Sequence, residues 1–448
     1  MTPHDFLRLH DPSWSSFEDV GSESSLRIVE GDCVGVVLFN LGGPESLDDV
    51  EPFLYNLLMD PLLFDLPVEG RLRHWLAKSV AYVRAQTLRD RYEMIGGASP
   101  LTRLAREQAQ SLQGHLASQY GQSTGVEFRT YSAMRYGHPF WEEAAVQMAA
   151  DGVDKVVLLP GYPQFSTFTT GSALAYWRAL SAADERASWP TTVVPEYAAN
   201  PKYVQAVSER IDQALQRFPR TVRSEVVLVF SAHDTVFGAR GQRGNPYCCH
   251  VHSTVEQVMR HRNRDRPFHT TFQSVMGPSS WLSPSTPDTI ETLAERGYRS
   301  VLVVPISFVT DHVNTSYDLD ISVRARAEAK GVDHFEVTAS LNTHPLFIEA
   351  LGEATIAQLD LPVDVNQLRF GGDGQSQGYP LRPYHQRPRH GLNGQSLSCL
   401  ECGSGQGGAR RWTLPDRSAE PDAPSDPSST RSDPSVPQGS ESVSDGGS

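Results

Sequence analysis

The sequence predicts a doubly wound α/β protein built as two similar halves and followed by a polar tail. Three observations carry this. The runs Val34–Phe39, Lys155–Pro160, Glu225–Phe230 and Ser300–Pro305 are almost continuously aliphatic, as parallel strands are when both faces are buried. Helical stretches separate them: Trp141–Ala150 precedes the second run and Thr286–Gly297 precedes the fourth. Such alternation makes a parallel sheet covered by helices. Finally, the phrases DGVDKVVLLP (151–160) and RGYRSVLVVP (296–305) share one plan of Gly, basic residue, aliphatic run and Pro.

Each element has a local reason. In Thr286–Gly297, Thr286 reads as the cap, acids occupy the first turn, and Gly297 ends the helix. Residues 1–32 are polar and aperiodic and read as a loose arm. The first half is expected over 33–198 and the second over 199–362, joined near Glu196 to Lys202. Within the first half, Pro52–Leu66 is unusually apolar and is broken by Asp60-Pro61. It reads either as a buried helix with a loop, or as a lip over 52–76 that touches an apolar ligand or a membrane surface. Residues 363–448 are rich in Gly, Ser, Pro, Gln and Asp with almost no aliphatic pairs. That composition cannot bury enough apolar area to offset the entropy of ordering, so a mostly disordered tail is expected.

Composition excludes several functions. The 448 residues hold 39 Lys and Arg against 53 Asp and Glu, a net charge of −14, the wrong sign for a phosphate-backbone binder. Five cysteines in this length are too few for a disulfide scaffold. No apolar run reaches the ~20 residues that span a bilayer, and the N-terminus lacks the basic start and apolar centre of a signal peptide. A cytoplasmic protein is expected, with the lip as its point of peripheral membrane contact.

Candidate chemistry clusters after two strands. Ser231-Ala232-His233 follows the third run, where ligands sit in open α/β sheets. Asp311-His312-Val313-Asn314 through Asp318 to Asp320 follows the fourth. If this segment is helical, Asn314 and Asp318 lie four apart on one face and can share a ligand. It also reads as a capped helix start with Asp311 as N-cap. Gly42-Gly43 lets the backbone approach something closely, but neither G-x-G-x-x-G nor a Walker-type loop is present. Cys399-Leu-Glu-Cys402 supplies two of the four ligands that Zn or Fe–S sites usually need. Cys248, Cys249, His250 and His252 are conceivable partners for it.

Eight segments, in order, resemble ferrochelatase, the family that inserts ferrous iron into a porphyrin. They are NLGGPESLDDV (40–50), YEMIGGASPL (92–101), MRYGHPFWEEA (134–144), LPGYPQFSTFTTGSALAYW (159–177), VFSAH (229–233), QSVMGPSSWLSPSTPDTIETL (273–293), PISFVTDHVNTSYDLDI (305–321) and SLNTHPLFIEAL (340–351). The resemblance implies two Rossmann-like, chelatase-type halves with a porphyrin cleft between them. It also implies iron and porphyrin as partners, no nucleic acid, a monomer or homodimer, and no required cofactor. The chemistry needs a base near the ring centre for two pyrrole protons. It needs N or O ligands for partly dehydrated Fe(II), and an apolar slot that holds and bends the macrocycle. No nucleotide is needed.

Residue by residue, the resemblance makes His233 the base and a metal ligand. His312 and Asp318 become its catalytic partners, and Asn314 a neutral metal ligand. Arg84, Tyr92, Ser99 and Ser274 match propionate or pocket positions. Leu62, Leu63 and Phe64 match the gripping lip, and Arg135, Tyr136, Tyr162, Phe165 and Trp281 match the cleft lining. The family usually reads His-Ile-Glu-Thr-Leu-Tyr-Glu where this chain has His312-Val-Asn-Thr-Ser-Tyr-Asp318. An amide thus replaces the first acid, and the second is one methylene shorter. Asp234-Thr235-Val236 also stands where Gly or Ser, Leu and Pro are usual. Some members hold a [2Fe–2S] cluster on four cysteines; only Cys399 and Cys402 match here, and Thr167 occupies the internal position. No such cluster is expected. The leading reading is a ferrochelatase acting on protoporphyrin or a related porphyrin. The second, favoured by Asn314, is a non-catalytic porphyrin- or haem-binding paralogue. A cobalt or nickel chelatase is a third, and fits the eight segments less well.

Overall fold

The computed structural model describes residues 3–17, 25–64, 68, 70–233, 245–273 and 282–362. The expected tail with Cys399 and Cys402, the segment Asp234-Thr235-Val236, and Ser274 and Trp281 lie outside these residues. Ten strands are described: β1 (Leu26–Arg27), β2 (Cys33–Asn40), β3 (Glu127–Met134), β4 (Lys155–Pro160), β5 (Thr191–Val193), β6 (Val227–His233), β7 (Phe268–Gln273), β8 (Ser300–Pro305), β9 (His334–Val337) and β10 (Leu359–Asp360).

Two four-stranded sheets result, ordered β3-β2-β4-β5 and β7-β6-β8-β9, with every pairing parallel. Within each half the order is second, first, third, fourth. The two expected similar halves therefore share one topology. The register agrees as well: Pro160 closes β4 opposite Phe39, and Pro305 closes β8 opposite Ser231. The four aliphatic runs are the two central strands of each sheet, and β2 and β8 are buried throughout. The third run is displaced from its expected place. Arg223–Glu225 form a 3-10 turn, and the strand runs on to include His233 itself.

The largest apolar cluster joins the halves. Val34, Val36 and Leu38 of β2 and Leu228 and Phe230 of β6 pack with the helices Pro201–Leu215 and Pro345–Ile356. The outer faces have separate cores, one centred on Trp141 and Trp177 and one on Ile290 and Val303. The parallel pair β1 and β10 also ties the end of the arm to the end of the second half.

Three expectations need correction. The arm is not loose over its described residues: Pro3–Leu9 form a helix whose Phe6 is buried against the first-half core. The cap of the helix Thr286–Glu295 is Ser285, whose side chain accepts from Asp288 N at 3.2 Å. Thr286 lies one residue inside and is buried, its hydroxyl bonded to Ser231 and Thr271 at 2.9 and 2.8 Å. Asp311 is not the N-cap of a regular helix. Asn314–Val323 form a wide π-type helix, and Asp311 is held by Asn342, with Nδ2 donating to its Oδ2 at 2.8 Å.

Candidate active site

The carboxyl ends of β4, β6 and β8 converge on one pocket, lined by Tyr162, Gln164, Ser166, Phe168, Thr169, His233, Tyr247, Ser307 and Phe308. Both sheets contribute, as expected where parallel strands end. Two amides fix their approach. Gln164 of the first half donates to Ile306 O at 3.1 Å and to Thr254 Oγ1 at 3.0 Å. Gln108, on the helix Leu101–Leu116, donates to Thr310 Oγ1 at 2.8 Å and to Asn342 O at 2.9 Å.

His233 is half-buried at the end of β6. Tyr247 anchors its backbone: the hydroxyl donates to His233 O at 3.0 Å and shares a 2.7 Å hydrogen bond with Ser307 Oγ. Phe308 packs against two imidazoles. Its ring meets His233 edge-on at 4.8 Å and His312 at 3.9 Å. His312 is buried, and neither ring nitrogen has a hydrogen-bond partner among the described residues. Burial, and then the neighbouring His233, push its pKa down to about 3. It is a neutral ring with a lone pair still to be used.

The π-type helix carries the remaining candidates. Thr315 Oγ1 accepts from His312 N at 3.0 Å, and Gln273 Nε2 donates to Asn314 O at 2.8 Å. These side chains satisfy backbone groups in a widened turn of the kind that recurs at functional sites. Asp318 is mostly buried, and burial raises its carboxyl pKa against the opposing pull of Arg91. Arg91 Nη1 lies 3.2 Å from Asp318 Oδ1 and is itself part-exposed. Tyr92, next to it on the long helix Gly70–Met94, is buried; burial and the Asp318 charge raise its pKa, while a hydrogen bond to Ser99 opposes them. The first-half helix thus reaches across to the second-half site.

The other candidates separate. Tyr162 lines the pocket with its ring 6.4 Å from Phe308. Arg84 is exposed on the helix Gly70–Met94 and is not part of the pocket around His233. Arg135 and Tyr136 do not line that pocket either. Arg135 Nη2 lies 2.8 Å and Tyr136 Oη 2.7 Å from Asp60 Oδ2, and Ser172 Oγ bonds the same oxygen. A carboxylate buried this deeply needs such partners. Phe165 is buried behind the wall rather than lining the pocket. Of the lip residues, Leu62 packs on the first-half core and Phe64 on a small cluster with Leu58, Met59 and Ala77. Leu63 is half-buried. Sequence reasoning missed Gln108, Gln164, Tyr247, Phe308 and Arg91. The only signal for Phe308 was its place inside the quoted PISFVTDH segment.

An α/β molecule of two like halves, with a pocket where the strand ends of both sheets meet, has the architecture of a protein that holds its ligand at the carboxyl ends of parallel strands. The matrix of relatives is specific. A family model described as Ferrochelatase matches residues 33–359. Proteins called ferrochelatase from Cyanothece sp., Synechococcus elongatus and Trichodesmium erythraeum are 39%, 41% and 40% identical over 334 residues, covering 73% of this chain and 83% of each relative. The chain belongs to the ferrochelatase family, whose reaction is the insertion of iron into a porphyrin.

Proposed function

We propose that this chain is a working ferrochelatase that inserts Fe(II) into protoporphyrin IX or a related porphyrin and releases two protons. The observation that carries the reading is that the imidazoles of His233 and His312 both pack against Phe308, beside the pocket where the two sheets meet. Metallation exchanges two N–H bonds for bonds to iron, so each proton needs an acceptor. His233 takes a pyrrole proton on its ring. His312, held neutral by its surroundings, adds no positive charge beside the incoming cation and offers a lone pair. The neighbouring His233 disfavours a charge on His312, so the protons leave one at a time. Asp318 passes them outward beside the part-exposed Arg91. Asn314 contributes an amide oxygen, and the working acid is Asp318. No resident cofactor or [2Fe–2S] cluster is part of the proposal.

The proposal also includes peripheral membrane contact for a monomer or homodimer. Its support is the helix Gly70–Met94, which exposes Leu72, Trp75, Tyr82 and Val83 with Arg71, Lys78 and Arg84 among them. Apolar side chains interleaved with basic ones suit an anionic surface from which an apolar substrate arrives. The test of the residue roles is anaerobic metallation with His233→Ala and Asp318→Asn. The first is expected to bind porphyrin, seen as fluorescence quenching, yet lose insertion by roughly 100-fold or more. The second is expected to slow insertion with binding retained. Insertion at the wild-type rate by His233→Ala would remove the base from the account.

A further inference from the structure

The segment 3–17 lies outside the family match at 33–359, yet it is built into the back of the candidate site. The Phe6 ring lies 5.3 Å from that of Tyr176 and 4.5 Å from the Arg135 guanidinium carbon. Trp14 O accepts from Arg178 Nη1 at 3.3 Å. The chain then passes so close to Gly171 that a Cβ there would stand 2.5 Å from Ser15 O. Phe17 ends the pass edge-on to Phe165 at 5.0 Å and to His250 at 5.5 Å. Phe165 N in turn donates to His250 Nδ1 at 3.3 Å. Phe17 therefore covers the joint between the pocket wall and the helix Tyr247–His261. Gln164 and Ser166, on either side of Phe165, face the pocket with His233. Thr167–Gly171 are a π-type turn, a wide turn with poorer internal bonding that benefits from outside support.

We propose that residues 3–17 are a strap that sets the position of the wall Gln164–Thr169, with Phe17 as the positioning residue and Gly171 as its seat. Porphyrin affinity then depends on a segment beyond the family's shared region. This rests on reading the pocket as the porphyrin site. Phe17 touches no reacting atom; it acts through Phe165 and His250. Gly171 has ordinary right-handed helical angles, φ −60° and ψ −45°, so its lack of a side chain serves the strap and not the backbone.

The test uses full-length protein as wild type, Phe17→Ala, Phe17→Tyr, Gly171→Ala and the Phe17→Ala/Gly171→Ala double variant. Protoporphyrin Kd is read by fluorescence quenching, and KM and kcat by anaerobic metallation. Phe17→Ala and Gly171→Ala are each expected to raise Kd and KM about tenfold with kcat within about twofold, a size expected of sub-ångström misplacement. Phe17→Tyr is expected to restore wild-type values, because its ring keeps both edge contacts. The double variant should be no worse than the poorer single one, since both act through one strap. Unchanged KM in folded Phe17→Ala or Gly171→Ala, or effects that multiply in the double variant, would overturn the strap. If Phe17→Ala does not fold, Gly171→Ala decides alone, because alanine suits the local backbone. Wild type that neither binds nor metallates porphyrin removes the site reading and the strap together, whereas a failed strap leaves wild-type turnover intact.

Discussion

Glu196 has a carboxyl group with no room to be hydrated. It is buried at the join of the halves; Ala198 N donates to Oε2 at 2.7 Å, and Oε1 has no partner among the described residues. Burial raises its pKa to about 7. The folded state thus holds a proton that the unfolded chain releases near pH 4.5. The stability this confers is full below pH 4.5 and is lost as pH rises through about 7. Glu196→Gln removes the dependence. The variant is expected to match wild type at pH 4 and to gain ~3 kcal/mol relative to it above pH 8, which thermal melts across that range will check. Equal melting differences at every pH would show that the carboxyl does not titrate this way. Residues of this kind are hard to single out in the sequence: Gln164 lies inside a matched segment and Tyr247 outside any, yet what each does depends on what distant parts of the chain bring against it. His233, His312 and Asp318 could be proposed from the sequence because they stand in contiguous motifs after two strands.

At the scale of elements, legibility followed burial. β2, β4, β6 and β8 are central strands with both faces covered, so they read as aliphatic runs. β3 (EFRTYSAM) and β7 (FHTTFQ) are edge strands with part-exposed faces, and their mixed composition hid them. The apolar stretch 52–66 read either as a buried helix with a loop or as a lip that touches an apolar ligand or a membrane, and the chain after the helix Val50–Met59 is pinned from inside. Asp60 holds Arg135, Tyr136 and Ser172, and accepts from Leu62 N at 2.9 Å. Arg73 Nη2 donates to Phe64 O at 2.7 Å. Breaking a buried charge pair from one side strands the other charge. Asp60→Ala is therefore expected to cost about 3–5 kcal/mol in urea denaturation. A loss below ~1 kcal/mol would mean that Arg135 finds water or another acceptor.

At the scale of the molecule, the two halves share one core and one terminal strand pair, so they should not unfold separately. Trp141, Trp177 and Trp189 report on the first-half core, whereas far-ultraviolet circular dichroism reports on both sheets. The two signals are expected to give one coincident urea transition, and distinct midpoints would show that the halves are independent. The pocket depends on the same union, because the wall after β4, His233 on β6 and Phe308 after β8 meet only when both sheets are docked. The sequence could announce two similar halves from paired phrases, but not the amides that lock them. The most direct test of the whole account is anaerobic mixing of wild-type protein with Fe(II) and protoporphyrin, following the porphyrin absorbance bands through time. Catalytic conversion of free-base to metalloporphyrin bands over many turnovers is expected. Porphyrin that binds and stays metal-free in wild type, with insertion appearing only in Asn314→Glu, would contradict it and identify a binding protein that has lost its acid.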